Sequence, residues 1–100
     1  MRKISLTPYP IPGGDYDVRT SLAGILFIPQ LRLAARDAIE HDRIARTIEG
    51  AGDEVLLEEA EYARVRMAVE AYEGYSREDL ELVRRVLEAP AVAVTEKTQE

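Results

Sequence analysis

The fold is decided by two segments, residues 58–73, EEAEYARVRMAVEAYE, and residues 77–88, REDLELVRRVLE. In the first segment, one set of apolar residues recurs at the spacing of a single helix face: Tyr62, Val65, Ala68, Val69 and Tyr72. A second set, here called the small-residue stripe, follows the same spacing on another face: Ala60, Ala63, Met67 and Ala71. We expect one set to contact the core of the protein and the small-residue stripe to contact a partner.

The second segment is also predicted to be helical. Its broad apolar face consists of Leu80, Leu82, Val83, Val86 and Leu87. Gly74 lies where a helix-ending glycine is expected, and Ser76 followed by Asp79 is a weaker relative of the capping box. Pro90 ends the segment. The two segments together predict a helical hairpin over residues 58–88.

The start of the chain has the pattern of short strands. Residues 3–7 and 16–19 alternate polar and apolar side chains. Between them, the prolines and glycines of residues 8–14 forbid a helix and favour a chain reversal. We therefore expect residues 3–19 to form a β-hairpin with a long loop. Another use of the alternating prolines would be as a polyproline ligand for an aromatic groove.

The middle of the chain is predicted to contain two helices. Thr20 or Ser21 can cap a short helix that Pro29 ends. The next helix is predicted over residues 31–49. On a continuous helix, four arginines of this segment fall within an arc of about 80°, and we call them the arginine stripe: Arg32, Arg36, Arg43 and Arg46. A break near His41, with a new helix capped by the next residue, would disrupt this alignment.

These elements define the expected architecture. The apolar run Val55-Leu56-Leu57 could be one more strand. The predicted fold class is α+β, mostly α, with an N-terminal β-hairpin packed on a small bundle of three to four helices and a C-terminal helical hairpin. In a chain of 100 residues we expect one globular domain, over residues 1–90. Residues 91–100 are expected to be a mobile tail, although residues 91–94 could extend as a strand and dock on a neighbour.

The charge of the chain is uneven and acidic. The net charge is -6; residues 1–50 hold seven basic and six acidic side chains, and residues 51–100 hold six basic and thirteen acidic ones. Because phosphate contacts supply most nucleic-acid affinity, we do not expect nucleic-acid binding. Residues 32–49 hold four Arg and four acids, which favours internal ion pairs or a protein partner for the arginine stripe. With no apolar run near the ~18 residues of a membrane span and no signal-peptide pattern, we expect a cytoplasmic or virion-associated protein.

The residues do not suggest catalysis. The chain has no Cys, and its one His, His41, lies between two acidic residues, where we expect an exposed spectator side chain. Asp37 and His41 are one helical turn apart, but no further metal ligand is evident. We therefore predict a non-enzymatic protein with no catalytic residues, no metal, no cofactor and no small-molecule substrate.

Three stretches resemble small uncharacterised proteins of tailed bacteriophages. They begin at Tyr16-Asp-Val-Arg, at Glu54-Val-Leu-Leu and at Asp79-Leu-Glu-Leu, and the likeness covers residues 16–88. Some proteins of this kind are encoded among head and tail genes. The resemblance implies an assembly or virion component, or a phage factor that binds a host protein, and it supplies no functional residue.

The predicted function is a protein–protein interaction module that self-associates, plausible as a phage assembly or structural protein. The candidate partner-binding residues are the arginine stripe and the small-residue stripe. The alternatives are a small phage-encoded inhibitor or regulator of a host enzyme, acting through the acidic C-terminal half or the arginine stripe, and a nucleic-acid-binding protein. The last would show steeply salt-dependent retention on DNA.

Overall fold

A two-stranded antiparallel sheet pairs the start of the chain with a strand from its middle. The computed structural model describes residues 1–92. Strand β1 (Arg2–Ser5) pairs with β4 (Glu54–Leu57), with Ile4 opposite Val55. Alternate residues of β4 are buried, because successive side chains of a strand point to opposite faces. The expected strand at residues 55–57 is therefore confirmed, and its partner is the N-terminal strand.

Residues 90–92 lie along the other edge of β1. Lys3 N donates to Pro90 O at 3.1 Å, and Val92 N donates to Met1 O at 2.7 Å. Ala91 forms a single bridge with Arg2. The first two residues of the expected tail are thus hydrogen-bonded beside β1, and its remaining residues, 93–100, lie outside the described part of the chain.

The N-terminal hairpin is smaller than the sequence predicted. It consists of β2 (Tyr9–Ile11) and β3 (Gly14–Tyr16), with Tyr9 opposite Tyr16. Gly13 adopts a φ of 91°, which a glycine tolerates and which lets the chain reverse between the strands. The prediction that residues 3–7 pair with residues 16–19 was wrong. The chain leaves the strand at Asp17, whose carboxylate accepts hydrogen bonds from Thr20 N and Thr20 Oγ1 and starts a helix.

Helices α1 (Val18–Ile25) and α2 (Ala35–Gly50) follow, separated by a 3-10 turn at Pro29–Leu31. The cap of α1 is Asp17, rather than the predicted Thr20 or Ser21. Helix α2 is continuous through His41, so the break considered there does not occur. Arg19 of α1 holds the far end of α2: its guanidinium donates to the carbonyls of Ile48 (2.9 Å), Ala51 (2.5 Å) and Gly52 (2.8 Å).

The predicted C-terminal helical hairpin is present. Helix α3 (Glu59–Ala71) is followed by a 3-10 turn (Arg77–Asp79) that continues into α4 (Leu80–Leu87). Tyr62 of α3 donates its hydroxyl to Val86 O of α4 at 2.6 Å, inside the core. Arg85 and Glu81 form the expected ion pair at 3.1 Å. The fold class, α+β with an N-terminal hairpin and mostly helices, is confirmed.

Apolar side chains from every helix and from the β1–β4 sheet form one core. Its largest fully buried members are Ile4, Leu6, Leu22, Leu26, Ile44, Ile48, Leu57 and Leu82. The small hairpin joins this body through Tyr9, which donates to Glu78 O, and Tyr16, which donates to Asp79 Oδ1. Across residues 1–92, none of the helices combines the length and the apolar character that crossing a bilayer would require.

Candidate functional site

The small-residue stripe lies on the side of α3 that faces away from the core. The other apolar set of this helix is covered, since Tyr62, Val65, Ala68 and Val69 are all buried. Ala60 and Ala63 are exposed, Met67 keeps 47% of its surface, and Ala71 is half-buried. Helix α3 is therefore apolar on two opposite sides, and within residues 1–92 only one of them is covered.

An open groove of about 440 Å³ lies beside the stripe. It lies between α3, on one side, and the 3-10 turn at Pro29–Leu31 with the beginning of α2, on the other. Its lining residues are Leu31, Leu33, Asp37, Ala63, Arg64 and Met67. Arg64 donates from both terminal nitrogens to Asp37 Oδ1 at 3.3 Å, which ties α3 to α2. The groove thus has apolar walls and one ion pair whose charges already neutralise each other.

The arginine stripe is only partly as predicted. Arg36, Arg43 and Arg46 lie on the exposed side of α2, around Ile39, which is 60% exposed. Arg32 is not on the helix. It ends the 3-10 turn with a φ of 49°, in the left-handed region, and α2 begins three residues later. The four arginines therefore do not form one helical stripe.

Two of these arginines have partners on their own helix. Arg43 pairs with Glu40 at 2.9 Å and Arg46 with Asp42 at 2.8 Å. Within residues 1–92, Arg32 and Arg36 form no ion pair. Internal pairing at spacings of three and four residues therefore neutralises two of the four arginines, Arg43 and Arg46.

The groove brings together only part of the predicted partner-binding set. It includes Ala63 and Met67, but none of the four arginines lines it. Sequence reasoning missed Leu31 and Leu33, because residues two apart outside a regular element carry no helical signal. It also missed the contact of Asp37 with Arg64, since that pair depends on how α2 and α3 pack.

His41 is buried, and the expectation of an exposed spectator was wrong. Its neighbours along the chain are acidic, but it shares a helix face with Ile44, Ala45 and Ile48, all of which are in the core. Nδ1 lies 2.8 Å from Leu26 O, and because a carbonyl only accepts, Nδ1 carries the proton. Nε2 has no hydrogen-bond partner within residues 1–92. This helix face could have been recognised from the spacing of its residues.

The histidine does not belong to a metal site in the part of the chain that is described. Asp37, one turn away, is engaged by Arg64, and the ring of Phe27 stands edge-on to His41 at 6.4 Å. Over residues 1–92, no three His, Asp or Glu side chains converge in a way that could hold a metal ion.

Comparisons of this chain with protein-family models, curated proteins and solved structures found no significant match. What the surface can do is therefore inferred from its geometry and chemistry.

Proposed function

We propose that this protein is a non-enzymatic interaction module that self-associates through the small-residue stripe of α3, and that it serves as an assembly or structural component of a tailed bacteriophage. One observation carries the self-association: α3 has a second apolar face, Ala60, Ala63, Met67 and Ala71, with an apolar groove beside it that nothing in residues 1–92 fills. The phage context rests on the sequence resemblance alone.

The stripe has the shape of a self-complementary surface. Suppose that two copies of α3 pack antiparallel by their outward faces, about a two-fold axis that crosses the helix at the height of residue 65. Met67 of each copy then lies against Ala63 of the other, and Ala60 lies near Ala71. Each large side chain then meets a small one, and alanines let the two helix backbones approach closely. The groove beside Ala63 provides the space for the methionine of the second copy.

The charges around the stripe permit this pairing of identical faces. Arg64 is neutralised by Asp37, and Arg66 pairs with Glu70 at 3.2 Å on the same helix. Two copies of a surface with balanced charge do not repel each other strongly, whereas the acidic remainder of the C-terminal half would. The stripe spans one 13-residue helix, so the interface is small and we expect reversible association in the micromolar range.

Sedimentation velocity of the full chain over a wide concentration range tests this proposal. We expect the wild-type protein to shift from monomer to dimer as concentration rises, and Met67→Glu to remain monomeric, since two buried carboxylates would face each other's apolar surface. The matched control is Ile39→Glu, which adds the same charge at an exposed apolar residue of α2. A wild-type protein that stays monomeric throughout, or association lost equally in both variants, would contradict the proposal.

One observation favours a second candidate, a regulator that binds a host enzyme. Arg32 and Arg36 are exposed and form no ion pair within the described residues, so they could meet an acidic partner. Charge reversal at Arg36 and Arg43 would then abolish capture of that enzyme without changing self-association. Retention on DNA that falls steeply with salt would favour nucleic-acid binding instead.

A further inference from the structure

Four of the five tyrosines form two aromatic pairs, Tyr9 with Tyr16 and Tyr72 with Tyr75. Three of them, with one carboxylate, line a pocket of about 250 Å³ between α1 and the α3–α4 connection: Tyr16, Tyr72, Tyr75 and Asp79. We call it the tyrosine pocket. Gly24 and Ile28 contribute to its remaining wall. No sequence motif predicts this pocket, because β3, α1 and the α3–α4 connection come together only on folding.

Three aromatic rings contribute to the lining of the tyrosine pocket. Tyr72 and Tyr75 stand edge to face, with centroids 4.7 Å apart and planes at 75°. Tyr16 stacks on Tyr9 at 4.8 Å with an interplanar angle of 12°, so Tyr9 covers one of its faces. Aromatic faces carry partial negative charge, and walls at right angles can surround a cation from several sides.

Asp79 adds a full negative charge to the lining of this pocket. Its carboxylate accepts hydrogen bonds from the Tyr16 hydroxyl at 2.6 Å and from Ser76 N at 2.7 Å. Burial raises the pKa of Asp79, but these hydrogen bonds outweigh it, and the net pKa is lowered. Within residues 1–92, no Lys or Arg forms an ion pair with this carboxylate, so the described part of the chain leaves its charge unpaired.

Two of the lining tyrosines, Tyr16 and Tyr75, have raised pKa values. Burial, with the hydrogen bond to Asp79, raises the pKa of Tyr16 to about 12. Burial, with the nearby charge of Asp79, raises the pKa of Tyr75 to about 12. The hydroxyl of Tyr75 donates a hydrogen bond to Val69 O at 2.7 Å, and this bond fixes the orientation of the tyrosine ring. Hydrogen bonds therefore hold two of the three lining rings, Tyr16 and Tyr75, in place before any ligand enters.

We propose that the tyrosine pocket binds an alkylammonium group, either a small free amine or the end of a lysine or methylated lysine side chain. Three aromatic rings and an unpaired carboxylate are the groups that recognise such cations. The volume suits a trimethylammonium head and is below that of sites for drug-sized ligands. This site is independent of self-association, because neither the small-residue stripe nor the groove contributes to it.

NMR titration of the full chain tests the proposal with choline chloride and with 3,3-dimethylbutan-1-ol, its neutral isostere. We expect choline to shift the ring signals of Tyr72 and Tyr75 and to bind at least about 10-fold more tightly than the alcohol, because only choline carries charge. Absence of binding, or equal binding of both compounds, would overturn the proposal. Two glycine-serine peptides, with one lysine or one trimethyllysine, separate the possible sources of the cation: binding as tight as choline's points to a protein side chain, weaker binding to a free amine.

Two variants and a control place the binding in the pocket. Tyr72→Leu removes one wall and Asp79→Asn removes the charge, and each should weaken choline binding about 10-fold or more. Glu78→Gln removes a carboxylate one residue from Asp79, outside the pocket, and should bind as wild type does. Asp79 also caps the 3-10 turn at Arg77–Asp79. If Asp79→Asn fails to fold for that reason, Tyr72→Leu alone tests whether choline binds in the pocket. Undiminished binding by folded Tyr72→Leu would overturn the proposal.

Discussion

Replacing Tyr62 with phenylalanine tests how the C-terminal helical hairpin is held together. The hydroxyl of Tyr62 donates to Val86 O at 2.6 Å, and both residues are buried. The substitution removes one oxygen and keeps the ring in the core. The guanidinium of Arg2, 4.7 Å from the ring centroid, retains an aromatic face. The change in stability therefore reports mainly the loss of one buried hydrogen bond.

The expected magnitude follows from what remains around the carbonyl. Leaving a buried acceptor without any partner would cost up to about 3 kcal/mol. Val86 O also accepts from Ala89 N at 3.3 Å, so it keeps one donor after the substitution. We therefore expect a loss of about 1 kcal/mol in the free energy of unfolding, the net value of a typical hydrogen bond. In a domain of this size that lowers the melting temperature by about 4–8 °C.

Urea and thermal unfolding followed by circular dichroism measure this effect. The matched control is Tyr72→Phe, because within residues 1–92 the hydroxyl of Tyr72 has no hydrogen-bond partner. We expect the control to change the free energy of unfolding by less than about 0.5 kcal/mol. If Tyr62→Phe is as stable as the control, the hydrogen bond does not contribute to joining α3 and α4, and the reasoning fails.

Three further predictions concern other contacts. Arg19→Met removes the guanidinium from three carbonyls at the end of α2, so unfolding should become easier by about 1.5–3 kcal/mol, with faster amide exchange in that turn; unchanged stability would refute it. His41 should be the Nδ1–H tautomer in nitrogen NMR spectra, and an Nε2–H tautomer would exclude its bond to Leu26 O. The pKa of Tyr16, raised to about 12, exceeds its unfolded value, so its stabilisation is present below about pH 10 and lost as the pH rises through 12. Tyr16→Phe should be less sensitive to pH over that range in denaturation experiments.

Local periodicity explains why the helices could be predicted. In residues 58–73 the set around Val65 recurs at helical spacing, and this set is the one that the structure buries. The ion pair of Glu81 with Arg85 was predictable for the same reason, since it depends only on four-residue spacing within a helix. Such features require no knowledge of which elements meet in space.

The pairing of strands could not be predicted in the same way. Alternation shows that residues 3–7 have a buried face, but it does not identify the strand that supplies the hydrogen bonds. The partner, β4, lies about fifty residues further along the chain. The predicted partner, residues 16–19, does not form a strand, because Asp17 starts α1 and β3 ends at Tyr16.

In the candidate sites, too, features that depend on spacing within one helix were predictable, and features that depend on contacts between distant segments were not. The exposure of Met67 follows from its position opposite the core set on one helix, so the outward face of the small-residue stripe was predictable. Arg32 was misplaced because Ala34, which precedes α2, has no capping side chain that would mark the start of the helix. The tyrosine pocket was missed because it joins residues 16–28 to residues 72–79, and that contact is formed only by folding.

Cysteine cross-linking tests the self-association through α3 most directly. The chain contains no cysteine, so Ala63→Cys and Met67→Cys each introduce a single reactive side chain. A disulfide requires Cα atoms within about 7 Å, which an antiparallel pair of α3 helices provides between residue 63 of one copy and residue 67 of the other. When the two variants are mixed and oxidised gently, we predict the mixed disulfide dimer as the main product by mass spectrometry. No cross-linked dimer, or dimers linked only between identical positions, would contradict the proposed pairing.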